Sequence, residues 1–341
     1  MNLPDLSDVE LHNIAELDPA SGYPGPLVRR YPRSVAEALE NSSLVSEDAA
    51  LSELRFVAVA GRRLAVILTS LSGGDLFVYR GDFLQTHVRL AAGVVHRQIL
   101  DFENDPFAGL REEAFAGQAF SRQVWRVGFD GPTLLHGIDR MGARIRPPDP
   151  HDKPAKRWAA YGSSITHGFT PVTRRQCYAA QAARRLGVDL LNLGLAGSCM
   201  CEPVVGEYLA SRADWDFITC EVGVNMRAHY EPDRFAERVR LLVRNLTLGQ
   251  PAKPVVLISP FTSAADCRVE PDTAARRTAG YRDALDAIAA EFAPQAVHLI
   301  DGRELLPEFA GLTCDLVHPS TEGHTLMAER LSARLRSLGV A

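Results

Sequence analysis

No apolar run among the 341 residues approaches the length of a membrane-crossing helix, which excludes a helical bilayer span. Basic residues are not in excess: the formal net charge is −5, so the chain lacks the electrostatic footprint of a nucleic-acid binder. Lysine is nearly missing, confined to Lys153, Lys156 and Lys253; the other basic residues are arginines. Cysteine is absent from the first half, and the six present are Cys177, Cys199, Cys201, Cys220, Cys267 and Cys314. A chain of this length buries a core without disulfide staples, and free thiols in a reducing cytoplasm are the default. Cys199-Met200-Cys201 has no second pair and no neighbouring histidine, which argues against zinc. The first residues, Met1-Asn2-Leu3-Pro4-Asp5, lack the basic and apolar regions of a signal peptide, so a cytoplasmic location is expected. A Gly-x-Ser-x-Gly elbow is missing too, which argues against an ordinary α/β-hydrolase. No glycine loop suited to cradling phosphate is visible.

What is present divides by texture. Runs at 55–60, 64–68 and 76–79 are β-branched or aromatic and are separated by Gly61, by Ser72-Gly73-Gly74-Asp75 and by Arg80-Gly81-Asp82. Short strands spaced by glycine turns describe an all-β unit, continued by 88–90, 123–129 and 133–136. Residues 1–146 are therefore expected to form a smaller β-sandwich of jelly-roll type. Arg80-Gly81-Asp82 fits a turn between strands better than an adhesion motif. Four prolines between Pro147 and Pro154 make 147–156 an extended, semi-rigid linker and mark the boundary.

From Arg157 to Ala341 strand and helix alternate. Strands are expected at 157–161, 189–193, 216–221, 254–259 and 296–300, and helices at about 176–186, 203–211, 232–246, 274–292 and 320–338. Five apolar strands with helices between them imply a three-layer α/β domain on a parallel sheet.

Small or polar residues end the strands that matter: Gly162-Ser163-Ser164 after the first, Gly194 to Ser198 after the second, Gly223-Val224-Asn225 after the third. Asp315-Leu316-Val317-His318 precedes the final helix. In parallel open sheets, ligands bind at the carboxyl edge, where these stations converge. Together they suit acyl transfer. A serine nucleophile needs an adjacent base, and His318 is the candidate. Asp315 would orient and stabilise its imidazole. The N–H groups of Ser164 and Gly197 and the side-chain amide of Asn225 would bind the oxyanion. Each station alone has an ordinary explanation as a helix cap or turn, and adjacent serines leave Ser163 and Ser164 both open as nucleophile on chemistry alone. His324 is expected on the last helix, facing solvent. His167 is a turn histidine, and Cys199 and Cys201 are candidates to line the pocket. Glu202 opens a helix, where a carboxylate suits the dipole.

Tyr-Gly-Ser-Ser-Ile-Thr-His-Gly at 161–168, Asn-Leu-Gly-Leu-Ala-Gly-Ser at 192–198, Glu-Val-Gly-Val-Asn-Met at 221–226 and Asp-Leu-Val-His-Pro-Ser at 315–320 together resemble the SGNH (GDSL-like) hydrolase and acyltransferase family. The resemblance implies a flavodoxin-like domain from Arg157 onward, with Ser164, Asp315 and His318 catalytic and Ser164, Gly197 and Asn225 forming the oxyanion hole. Alignment on Gly162 and Ile165 selects Ser164. The family commonly has Asp where Ser163 stands. A β-sandwich ahead of this domain resembles a bacterial two-domain subgroup of esterases and acyltransferases. The partners implied are a small-molecule ester or thioester donor, with acyl-CoA among the candidates, and water or a hydroxyl acceptor such as a polyketide. No cofactor, metal, nucleic acid or membrane is expected. The alternative from another class is a non-catalytic carbohydrate-binding or scaffold protein with a degenerate hydrolase fold.

Overall fold

The structure is a computed structural model that describes residues 3–19, 22–41 and 47–341. Residues 1, 2, 20, 21 and 42–46, part of the stretch assigned above to the sandwich, lie outside the described residues. The chain divides into two compact units, Met1–Arg33 with Ser46–Ala155, and Ser34–Val45 with Lys156–Ala341.

The first unit is a β-sandwich of two antiparallel sheets. One sheet runs, in spatial order, Glu10–His12, Ser52–Ala60, Val124–Phe129, Gly74–Arg80 and Phe83–Leu90, with Arg144–Arg146 also paired to Ser52–Ala60. The other runs Glu16–Asp18, Leu27–Arg29, Thr133–Asp139, Arg63–Ser70 and Val95–Asp101. Alternation along the strands sends Leu54 and Phe56, Leu64, Val66 and Leu68, Leu76 and Val78, and Trp125, Val127 and Phe129 into one shared core. Gly81, at φ +58°, turns the chain between two strands of the first sheet, so the Arg-Gly-Asp triplet is a hairpin turn. The proline-rich stretch is interrupted by one 3-10 turn, with extended backbone at Asp149 and Lys153 on either side. Asp149 caps a 3-10 turn at Pro150–Asp152, and the buried Asp152 carboxylate accepts hydrogen bonds from Arg146 and from the Asp149 N–H. Pro150 fixes the first φ of the turn, and the Asp149–Asp152 pair and Arg146 hold the rest.

The second unit carries five parallel strands, β1 (Arg157–Gly162), β2 (Asp189–Gly194), β3 (Phe217–Glu221), β4 (Val255–Ile258) and β5 (Val297–Ile300). Their order is β2-β1-β3-β4-β5, as in flavodoxin-like sheets. Strands covered on both faces read as continuous apolar runs, and Trp158 to Tyr161 of β1 are fully buried. Trp158 stacks on Phe217 of β3 with ring centroids 5.8 Å apart and donates its indole N–H to Thr219 Oγ1 at 3.0 Å.

The flanking helices are α1 (Tyr178–Leu186), α2 (Pro203–Ser211), α3 (Pro232–Gly249), α4 (Thr273–Glu291) and α5 (Thr321–Ser337). The α1 helix packs on α5, while α2 packs on α3 and α3 on α4. Helix α3 buries Phe235, Val239, Leu242, Val243 and Leu246, a stripe at the helical period. Asp272 caps α4 and Ser320 caps α5 through their side chains.

Strand order reverses between β1 and β3, which opens a crevice at the carboxyl edge. The turns after β1, β2 and β3 all leave from that edge.

Candidate active site

Ser163 and Ser164 follow β1 directly and have different surroundings. The Ser163 hydroxyl is spent on structure: it caps the short helix Ser164–His167 by accepting the Ile165 N–H, and it donates to Glu221 Oε2 at 2.7 Å. Ser164, only 6% exposed, turns its hydroxyl the other way, 2.7 Å from His318 Nε2. On the far side of the ring, His318 Nδ1 lies 2.7 Å from Asp315 Oδ2. Ser164, His318 and Asp315 thus form one continuous hydrogen-bonded row.

The Asp315–His318 turn is built tightly. Asp315 Oδ1 accepts the N–H groups of Val317 and His318 and the Thr313 hydroxyl, each at 2.9 Å. Partial burial raises the Asp315 pKa, but the backbone donors of His318 and Val317, then the His318 ring and Thr313, outweigh it. The carboxyl is held well below the usual range. Leu316, between them, sits at φ +59°, a conformation β-carbon-bearing residues seldom adopt. A closed ring of backbone bonds, Leu316 N–H to Thr313 and Thr313 N–H to His318, holds it there.

Gly197 and Asn225 stand on the neighbouring turns. Gly197 has φ +69° and its carbonyl accepts from Asn41 Nδ2 at 3.3 Å. Asn225 Oδ1 accepts the Cys199 N–H at 3.2 Å, which leaves Nδ2 as the free end of the amide. Among the described residues, neither the N–H of Ser164, the N–H of Gly197 nor Asn225 Nδ2 donates to another protein group. These three donors stand on the turns that leave β1, β2 and β3 at one edge of the sheet.

Beneath this row lies Glu221, the last residue of β3, fully buried. Burial pushes its carboxyl up to about 7, against hydrogen bonds from the Ser163 hydroxyl and N–H and from Thr166. Gly162 is forced here, since an added Cβ would stand 2.2 Å from Thr166 Oγ1 and 2.7 Å from Glu221 Oε2. In the sequence Glu221 is only the end of the 216–221 strand and the start of the Glu-Val-Gly-Val-Asn-Met motif. Its role is invisible in a linear reading because its partners are 58 and 55 residues away.

Two histidines are structural. His167 is buried and accepts the Ala196 N–H at Nδ1, 3.3 Å away, one residue before Gly197. His324 does not face solvent: it is fully buried on α5, where Nδ1 accepts the Tyr178 N–H at 3.1 Å and Nε2 donates to the Phe169 carbonyl at 3.4 Å. Burial drives its pKa down to about 4. The signal that finds it is periodic, since His324, Met327, Ala328, Leu331 and Leu335 all bury one stripe of α5.

Cys199 and Cys201 are buried, and burial holds the Cys199 thiol well above its ordinary range, away from the thiolate that nucleophilic cysteines need. Glu202 is the N-cap residue of α2 without a side-chain capping bond; it is buried, burial raises its pKa, and it accepts the Glu40 N–H. Asn41 also accepts the Ser198 hydroxyl at its carbonyl, so the described part of Ser34–Val45 fastens the turn that carries Gly197. Continuity of sequence places that stretch with the sandwich, whereas its contacts place it with the second unit. Its partners are polar contacts about 160 residues away.

A parallel α/β sheet with a serine, a histidine and an aspartate in one hydrogen-bonded row defines the class of fold. Residues 160–326 match the model of the GDSL-like lipase/acylhydrolase family, and the second unit is a domain of that enzyme family. No curated protein sequence matches the chain. Among solved structures, the salicylyl-acyltransferase SsfX3 from a tetracycline biosynthetic pathway has a TM-score of 0.77 at 19% identity, over 98% of this chain and 95% of that one. A family two carbohydrate esterase from Clostridium thermocellum has a TM-score of 0.58 at 15% identity, over 86% and 95%. A family two carbohydrate esterase from Cellvibrio japonicus has a TM-score of 0.58 at 14% identity, over 97% and 95%. These likenesses show a common fold, a β-sandwich ahead of an SGNH domain. No helix among the described residues is long and apolar enough to cross a membrane.

Proposed function

We propose that the chain is a serine-dependent acyl-transfer enzyme that works through an acyl-enzyme on an ester or thioester of a small molecule. The observation that carries this is the row Ser164 Oγ, His318 Nε2, His318 Nδ1, Asp315 Oδ2, with both links at 2.7 Å. Ser164 Oγ attacks the carbonyl carbon while His318 Nε2 takes its proton. Asp315 holds Nδ1–H and stabilises the imidazolium that forms. The negative oxygen of the tetrahedral intermediate is met by the N–H groups of Ser164 and Gly197 and by Asn225 Nδ2, which have no competing partner among the described residues. Collapse expels the leaving group with the proton from His318. Water or an alcohol, deprotonated by the same nitrogen, then releases the acyl group from Ser164 as an acid or as a new ester.

A hydroxyl acceptor is part of the proposal alongside water, supported by a fold shared with both an acyltransferase and esterases. Acyl-CoA is one donor to be tested. Cytoplasmic action belongs to the same proposal and is supported by six free cysteines, four of them buried.

A fluorophosphonate probe followed by peptide mapping tests the site. The expected adduct is on Ser164, with a burst of acyl-enzyme from an activated ester and loss of both in Ser164→Ala. An adduct on Ser163 overturns the assignment. A wild-type protein inert to both reagents supports the degenerate scaffold instead. Offering hydroxylated acceptors during turnover, with thioester and oxygen-ester donors in parallel, divides transfer from hydrolysis.

A further inference from the structure

Ser163, Thr166 and Glu221 form a second hydrogen-bonded set below the nucleophile. Glu221 Oε2 accepts the Ser163 N–H at 2.7 Å, the Ser163 hydroxyl at 2.7 Å and the Thr166 hydroxyl at 3.1 Å. Because Thr166 gives its proton to Glu221, the Tyr178 hydroxyl, 2.6 Å from Thr166 Oγ1, must donate into the chain. Three donors of the turn that bears Ser164, the Ser163 N–H and the Ser163 and Thr166 hydroxyls, therefore point at one oxygen on the neighbouring strand. Ser163, Thr166 and Glu221 are each fully buried, so these bonds do not compete with solvent. The other oxygen, Glu221 Oε1, has no hydrogen-bond partner among the described residues. A buried oxygen without a partner costs stability, so packing alone would favour an apolar residue at this position.

We infer that Glu221 is a positioning residue: its Oε2 ties the 163–166 turn to the end of β3 and so fixes the direction in which Ser164 presents its hydroxyl to His318. This rests on Ser164 being the nucleophile. The turn has no other anchor of comparable reach on the β3 side among the described residues. Its other tertiary bonds come from elsewhere: Asn192 Nδ2 donates to the Thr166 carbonyl from β2 on the opposite side, Tyr178 reaches Thr166 from α1, and His318 meets Ser164 from the loop before α5. Acting as an acceptor, Oε2 is replaceable by the amide oxygen of glutamine but not by a thioether or a methyl group.

The test compares Glu221→Met, Glu221→Gln and Ser163→Ala with the wild type in steady-state turnover of an activated ester, in the rate of fluorophosphonate labelling of Ser164, and in Tm. Removing the acceptor in Glu221→Met lowers kcat and the labelling rate by roughly 10- to 100-fold, the scale of a small misplacement of a reacting group, with KM within about threefold. Glu221→Gln restores both rates to within about threefold of the wild type. Ser163→Ala breaks the same link from the other end without disturbing the strand. Combined with Glu221→Met it loses no more than the worse single variant. Three results overturn the inference: a folded Glu221→Met with wild-type kcat, a folded Glu221→Gln as impaired as Glu221→Met, or additive losses in the double variant. A wild type that neither turns over the ester nor labels at Ser164 fails at the earlier step and removes the nucleophile on which this role depends.

Discussion

The Cys199 N–H donates to Asn225 Oδ1 across 3.2 Å, and that bond decides which end of the Asn225 amide remains free. An unheld amide could present either its oxygen or its nitrogen, and only the nitrogen attracts a developing oxyanion. Since the holding group is a backbone N–H, no side-chain change at Cys199 removes it directly.

Asn225→Ala should therefore lower kcat by roughly 10²- to 10³-fold, the range for deletion of one oxyanion donor, with little change in KM. Asn225→Asp should be at least as damaging, because its carboxylate oxygens accept from Cys199 at one end and repel the oxyanion at the other. Steady-state kinetics on an activated ester decides this; a threefold effect in either variant would exclude Asn225 from the hole.

Asp315 is nearly half exposed, with a side-chain exposure of 47%, so its value lies in geometry more than in a buried charge. Asp315→Asn keeps an acceptor for the Val317 and His318 N–H groups, but its NH2 can then face Nδ1 and favour the wrong tautomer of His318. A loss of about 10⁴ in kcat is expected, with Tm nearly unchanged. A fall in Tm in proportion to activity would make Asp315 a structural clamp instead.

Glu221 links the same site to stability. Its folded pKa, raised by burial to about 7 from an unfolded value near 4.5, means the folded state binds the proton more tightly. Stability is complete below pH 4.5, is lost as pH rises through the interval, and levels off above 7. The full cost is on the order of 3 kcal/mol. Glu221→Gln has no such proton, so its stability relative to wild type should improve between pH 5 and pH 8. Urea denaturation at those two pH values measures it, and parallel curves would show that the carboxyl does not titrate in that range.

Fold class was legible because the second unit's strands are buried on both faces. Trp158 to Tyr161 and Val255 to Ile258 read as unbroken apolar runs, which half-exposed strands do not. The sandwich was legible through its turns, Gly61, Gly73 and Gly81, all at positive φ. Ser164, Gly197 and Asn225 could be nominated from their places at strand ends and His318 from the loop before the final helix, whereas chemistry alone could not separate Ser163 from Ser164. Both are small hydroxyl residues in one turn, and only the position of Glu221 on the adjacent strand and of His318 on a distant loop distinguishes them. The fastening of Gly197 by Asn41 was illegible for the same reason. Such polar contacts depend on three-dimensional proximity and leave no periodic trace, whereas the burial of His324 leaves one in the spacing of α5.

His324 supplies the acid-side counterpart of Glu221. Burial lowers its pKa to about 4, against an unfolded value near 6.5, so the folded state holds the neutral ring and resists protonation. The neutral tautomer accepts at Nδ1 from the Tyr178 N–H and donates at Nε2 to the Phe169 carbonyl, and a proton on Nδ1 would break the first of these. Its contribution is whole above pH 6.5 and is lost as pH falls toward 4, by up to about 3 kcal/mol. His324→Gln replaces the ring with a group that does not titrate. It should be less stable than wild type at pH 7.5, by about 1–3 kcal/mol for the disturbed bonds, and the gap should narrow or reverse at pH 4.5. Because Phe169 and Tyr178 bracket the loop beside the Ser164 helix, the variant should also lose activity through KM or thermal inactivation rather than through the burst rate of acyl-enzyme formation. A stability gap that stays constant between pH 7.5 and 4.5 would mean that His324 is protonated, or solvated, in the folded protein.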